Sequence, residues 1–72
     1  MRDAKRLDAF YEELTAIHKR SFCDWRFGQL IHNIMVWLSL DKGVDVFFPE
    51  EDKMIEYIRE FEKYYGSVKE GD

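Results

Sequence analysis

Residues 24–40 read Asp-Trp-Arg-Phe-Gly-Gln-Leu-Ile-His-Asn-Ile-Met-Val-Trp-Leu-Ser-Leu. The fourteen residues after Arg26 carry no formal charge, in a 72-residue chain of which 36% is charged. On a helical projection Phe27, Ile31, Ile34, Met35 and Leu38 share one broad apolar face. Arg26, Gln29 and Asn33 line the opposite side, and so do Val36, Trp37 and Leu40. The first half of such a helix is one-sided and the second half apolar nearly all round, so other elements must cover it. The uncharged run spans about 21 Å at a helical rise, short of a hydrocarbon layer of about 30 Å. It also contains Gln29, His32 and Asn33, so it reads as a core helix and not as a membrane span.

The flanks predict two more helices. Over residues 2–21, Leu7, Phe10, Tyr11, Leu14, Ile17 and His18 recur at the spacing that stacks side chains on one face. Asp24 is suited to cap a second helix over 25–40, because its carboxylate can accept from the exposed amides of the first turn. Gly28 inside that helix costs about 1 kcal/mol against Ala, which implies close approach of another backbone or ring. Asp41-Lys42-Gly43 reads as a turn, with Gly43 free to take a positive φ. Val44 to Phe48 has no second strand-like run to pair with, so it is expected as an extended connector pinning Val46, Phe47 or Phe48 into the core. Pro49, Glu50, Glu51 and Asp52 suit the first turn of a third helix over 50–65. That helix carries Met54, Ile58, Phe61 and Tyr65 on one stripe, flanked by Tyr57 and Tyr64, and Gly66 ends it. The expected fold is all-α: a small three-helix bundle with the middle helix at its centre. Residues 1–66 form one domain and 67–72 a frayed tail.

Six Phe, four Tyr and two Trp supply a core rich enough for a short chain to fold without metal or disulfide. The single cysteine, Cys23, cannot close an internal disulfide, and the Arg-Asp-Ala-Lys-Arg opening lacks the apolar core of a secretory signal. Both features lead to an expected cytoplasmic location. The net charge of −4 is uneven: residues 1–26 hold six basic and five acidic side chains, residues 41–72 five basic and ten acidic. Such a balance argues against binding a phosphate backbone.

The segments Asp24–Asn33 and Asp45–Asp52 together resemble a group of short bacterial and phage proteins. Their pattern is roughly Pro-Asp-x-Arg-Phe/Leu-Gly-Gln-Leu, a nearby Asn, then Asp-x-Phe-Phe/Tyr and an acidic cluster before a last helix. Cys23 stands where that pattern usually has proline, which leaves the entry to the second helix less rigid. The resemblance implies a small helical, non-secreted protein and carries no assigned activity.

Few residues offer chemistry. Arg26, Gln29 and Asn33 form a polar ladder along one helix side. The structural expectation is that Arg26 pairs with the Glu50–Asp52 cluster while Gln29 and Asn33 satisfy the connector's backbone; the functional one is capture of a partner's carboxylate or phosphate. Cys23 could act as a nucleophile only beside a base, and neither His18 nor His32 stands at a spacing that guarantees contact. His18 falls on an apolar stripe and reads as a packed histidine with one hydrogen bond. One Cys and two His cannot close a zinc site without carboxylates. Glu50, Glu51, Asp52, Glu56, Glu60 and Glu62 read as a helix start and a solvated face. With no phosphate loop, nucleophile elbow or paired acid in an apolar pocket, no enzyme, cofactor or small-molecule substrate is expected.

The expected function is therefore protein–protein contact, including contact with a second copy of the chain, through Val36, Trp37 and Leu40 with Trp37 as anchor. The alternative is a DNA-binding regulator using the basic N-terminal residues Arg2, Lys5 and Arg6. Against it, a reading helix over 50–65 would lead with Glu50, Glu51 and Asp52, which phosphates repel.

Overall fold

The computed structural model describes residues 3–66, which fold into three helices: α1 Arg6–Ser21, α2 Phe27–Leu40 and α3 Glu51–Tyr65. Residues 1–2 and the expected tail, 67–72, lie outside the described residues. The expected all-α, three-helix architecture is what the chain adopts.

The centre of the bundle is α3 and not α2. Met54, Ile55, Ile58 and Phe61 bury one side of α3, and this helix packs against both of the others, most extensively against α1. Ion pairs mark the α1–α3 seam at three levels: Arg6–Glu51 at 2.8 Å, Glu13–Arg59 at 3.2 Å and Arg20–Glu62 at 2.7 Å. Residue numbers rise together along the seam, so α1 and α3 run parallel. α1 buries Ile17 there, with Phe10 and Leu14 packed beside it. α2 contributes Leu30, Ile34, Trp37 and Leu38, but its longer apolar run does not give it more neighbours. A helix that is apolar all round can leave one side open, and α2 does.

The helix ends depart from expectation for local reasons. α1 begins at Arg6 because Asp3 organises a turn before it: the Lys5 amide donates to Asp3 Oδ1 at 2.9 Å and the Arg6 amide to the Asp3 carbonyl at 3.2 Å. α2 begins two residues later than expected. Its N-cap is Arg26, with no side-chain cap bond, and Asp24 does not cap it. Instead the Trp25 amide donates to the Phe22 carbonyl at 2.9 Å, closing a turn that sets the Trp25 ring 4.8 Å from that of Phe22. A capping carboxylate contributes about 1 kcal/mol, less than half-burying an indole.

After α2, Gly43 takes the expected positive φ of 64° and the Val44 amide donates to the Leu38 carbonyl at 3.0 Å. The connector is not extended to its end. Asp45 turns it, accepting from the Phe47 amide on Oδ1 at 3.1 Å and from the Phe48 amide on its carbonyl at 3.2 Å. Val44 and Val46 reach the core, whereas Phe47 is 90% exposed and Phe48 76%. Gly28 meets nothing within 4 Å, so the expected close approach is not there. It is found at Gly66, the residue after α3, where a Cβ would lie 2.6 Å from the Glu62 carbonyl oxygen and 3.2 Å from Ser21 Cβ.

Candidate functional site

The apolar second half of α2 meets α3 at an aromatic centre built on Phe61. Rings of Phe22, Trp25, Trp37 and Tyr65 surround it, with centroids at 5.5, 6.4, 5.6 and 5.0 Å. The turn at 22–25 supplies two of them. His18 secures that turn, since its Nε2 lies 2.8 Å from the Trp25 carbonyl oxygen and donates to it. The single hydrogen bond expected of His18 is thus present, and it positions an aromatic ring.

Trp37 does not project into solvent. It is 7% exposed, edge-on to Phe61, with Lys42 Nζ 5.7 Å from its ring centroid. The helical projection placed it with Val36 and Leu40, but α3 lies on the side of α2 that the large indole can reach. The expected anchor is a core residue. Val36 and Leu40 do stay outside, Leu40 at 77% exposure. They border a cleft of about 290 Å³ whose walls include Trp25, Trp37, Phe61 and Tyr65, with Asn33 and Asp41 at its edge. Tyr64, its ring 6.4 Å from that of Tyr65, extends the exposed surface along α3. Trp25, Phe61 and Tyr65 were not expected at this site; the aromatic recurrence 57, 61, 64, 65 in α3 was the available signal.

The polar ladder is not brought together as one site. Arg26 and Gln29 are exposed, and Asn33 alone reaches the cleft. Among the described residues, none of these three side chains makes a hydrogen bond or ion pair with another described residue. The expected pairing of Arg26 with the Glu50–Asp52 cluster is not made; Arg6, from α1, takes Glu51 instead. The connector's Phe47 and Phe48 amides are served by Asp45 and its Val44 amide by the Leu38 carbonyl, not by Gln29 and Asn33.

The remaining ionisable groups act as ties. Glu62 receives Arg20 Nε at 2.7 Å, Arg20 Nη2 at 2.8 Å and Ser21 Oγ at 2.5 Å. Burial pushes its carboxyl up, but the hydrogen bonds from Arg20 and Ser21, with the Arg20 charge, outweigh burial and hold it below the usual range. The same hydrogen bond raises Arg20, and the one to Glu60 raises Lys42. A carboxylate with both oxygens occupied has little capacity left to act as a base. Cys23 is exposed, in a recess of about 400 Å³ that His18, Tyr11 and Phe27 also line. Among the described residues, no group of three or more His, Cys, Asp or Glu could hold a metal ion, and no buried side-chain nitrogen or oxygen lacks a partner. No helix among them is long and apolar enough to cross a membrane.

No family model matches the chain, and no curated protein or solved structure is significantly similar to it. The resemblance of residues 24–33 and 45–52 therefore rests on those motifs alone.

Proposed function

We propose that this chain is a small non-enzymatic interaction module, and that the aromatic cleft between α2 and α3 takes a second copy of the chain. The observation that carries the reading is the pairing of a hole with a projecting apolar side chain on one face: Leu40, 77% exposed, stands at the mouth of the cleft. A two-fold contact needs a patch complementary to itself, in which residue i of one copy meets residue j of the other and the reverse. Leu40 of each copy entering the other's cleft meets that condition. Val36, Leu40, Tyr64 and Tyr65 expose on the order of 400 Å² of apolar surface, about half of what a standard interface buries per partner. A patch of that size falls among small, transient interfaces.

Duplex binding through Arg2, Lys5 and Arg6 has less support. Arg6 is held by Glu51, and Arg2 lies outside the described residues. Sedimentation velocity from 5 to 500 µM tests the main reading: a concentration-dependent dimer is expected, and Leu40→Glu should abolish it. A chain that stays monomeric across that range overturns the assignment.

A further inference from the structure

A second, larger concavity lies on the open side of the α1–α3 pair, away from the aromatic centre. It encloses about 860 Å³. Its floor is apolar: Ala9 and Ala16, two turns apart on α1, leave room beside α3, and Phe10 and Ile55 complete the surface. Its rim is acidic. Glu12, Glu13, Glu50, Glu51 and Asp52 line it beside Arg6 and Arg59. Both guanidiniums are already engaged by the rim, Arg6 with Glu51 and Arg59 with Glu13. Glu12 and Asp52 are exposed, and among the described residues neither pairs with a basic side chain of another described residue.

We propose that this groove docks a basic amphipathic helix of a protein partner. Two parallel helices with small residues along one edge form a trough that a third rod of about 10 Å diameter can fill. The stretch from Arg6 to Ala16 runs about 15 Å, so the occupant is a helix of about three turns, seating apolar side chains at i, i+3 or i+4, and i+7 on the floor. Its lysines or arginines meet Glu12 and Asp52. A second copy of this chain does not suit the groove, because a chain of net charge −4 would be brought against a surface of the same sign. Self-contact at the aromatic cleft and helix capture here are independent, and either can fail alone.

The probe is a fluorescein-labelled 14-residue Leu/Lys peptide with leucines at helical i, i+3, i+4 and i+7 spacing, compared with the same peptide carrying Glu for Lys. Anisotropy titration with the full chain is expected to give micromolar binding of the Lys peptide and at least about tenfold weaker binding of the Glu peptide, with an affinity that falls as salt rises. The double variant Glu12→Lys, Asp52→Lys should weaken the Lys peptide by about tenfold or more. Ala9→Leu with Ala16→Leu keeps every charge and fills the floor, and should weaken it comparably. Should that variant unfold by circular dichroism, Ala9→Gln, at an exposed position, makes the same test. Unchanged affinity in the floor variants reduces the effect to nonspecific surface charge and overturns the proposal. So do equal affinities for the two peptides, no binding of either, or loss of binding in Leu40→Glu.

Discussion

The two seams of α3 are built from different materials. Against α1 it runs parallel and is tied at its edges by Arg6–Glu51, Glu13–Arg59 and Arg20–Glu62, over an apolar strip that includes Phe10, Leu14 and Ile17. Against α2 and the 22–25 turn it meets rings gathered around Phe61, Trp37 from α2 and Phe22 and Trp25 from the turn. Exposed ion pairs contribute little energy individually, whereas a buried aromatic centre contributes several kcal/mol. The ion pairs thus specify register and direction, and the buried rings supply cohesion.

The sharpest way to break this contrast is Phe61→Ala. Truncating a buried phenyl typically costs about 3–5 kcal/mol, a large share of the roughly 5–15 kcal/mol that holds a small domain together. Urea unfolding should show the variant near or past its midpoint without denaturant; a loss under 1 kcal/mol would show that the rings are not the cohesive element.

The next effect belongs to Glu62. Its folded carboxyl lies below the ordinary range, so on acidification the unfolded chain takes up the proton first. Its contribution is therefore complete above the unfolded carboxylate pKa and is lost as pH falls through the lower, folded value. Glu62→Gln should lower stability at neutral pH and flatten this acid-side dependence, read as urea midpoints from pH 6 down to pH 3. An unchanged slope would mean that Glu62 is not tied as described.

The smallest and most diagnostic comparison is between two glycines. Gly66→Ala must push a methyl against the Glu62 carbonyl and Ser21 on the α1–α3 seam, and should destabilise by about 1–3 kcal/mol. Gly28→Ala in α2 meets open space and should stabilise by roughly 0.5 kcal/mol. Thermal melts giving both variants the same sign would contradict the packing at one of the two sites.

Much of this fold could be read in the residues before any coordinates. Phe10, Leu14 and Ile17 in α1, Met54, Ile58 and Phe61 in α3, the Gly43 turn and the Gly66 stop stand where the residues indicate, whereas Tyr11 and Tyr65, read onto the same stripes, are more than half exposed. What could not be read is which neighbour takes which side of a helix. A projection sets the angles among Val36, Trp37 and Leu40, but it does not say that α3 lies toward the indole. Nor does it say that Arg6, 45 residues distant in sequence, would take the carboxylate expected for Arg26. Asp24 illustrates a third kind of miss, in which a sound local preference lost to burial of the ring next to it.

Both indoles of this chain flank Phe61. Its intrinsic emission is therefore a reporter of one end of the molecule, while far-ultraviolet ellipticity sums over every helix. Superimposable denaturation profiles from the two signals would mean that the bundle melts as a unit. An optical transition preceding the ellipticity change would reveal a paired-helix remnant, α1 with α3, that outlives its aromatic clasp.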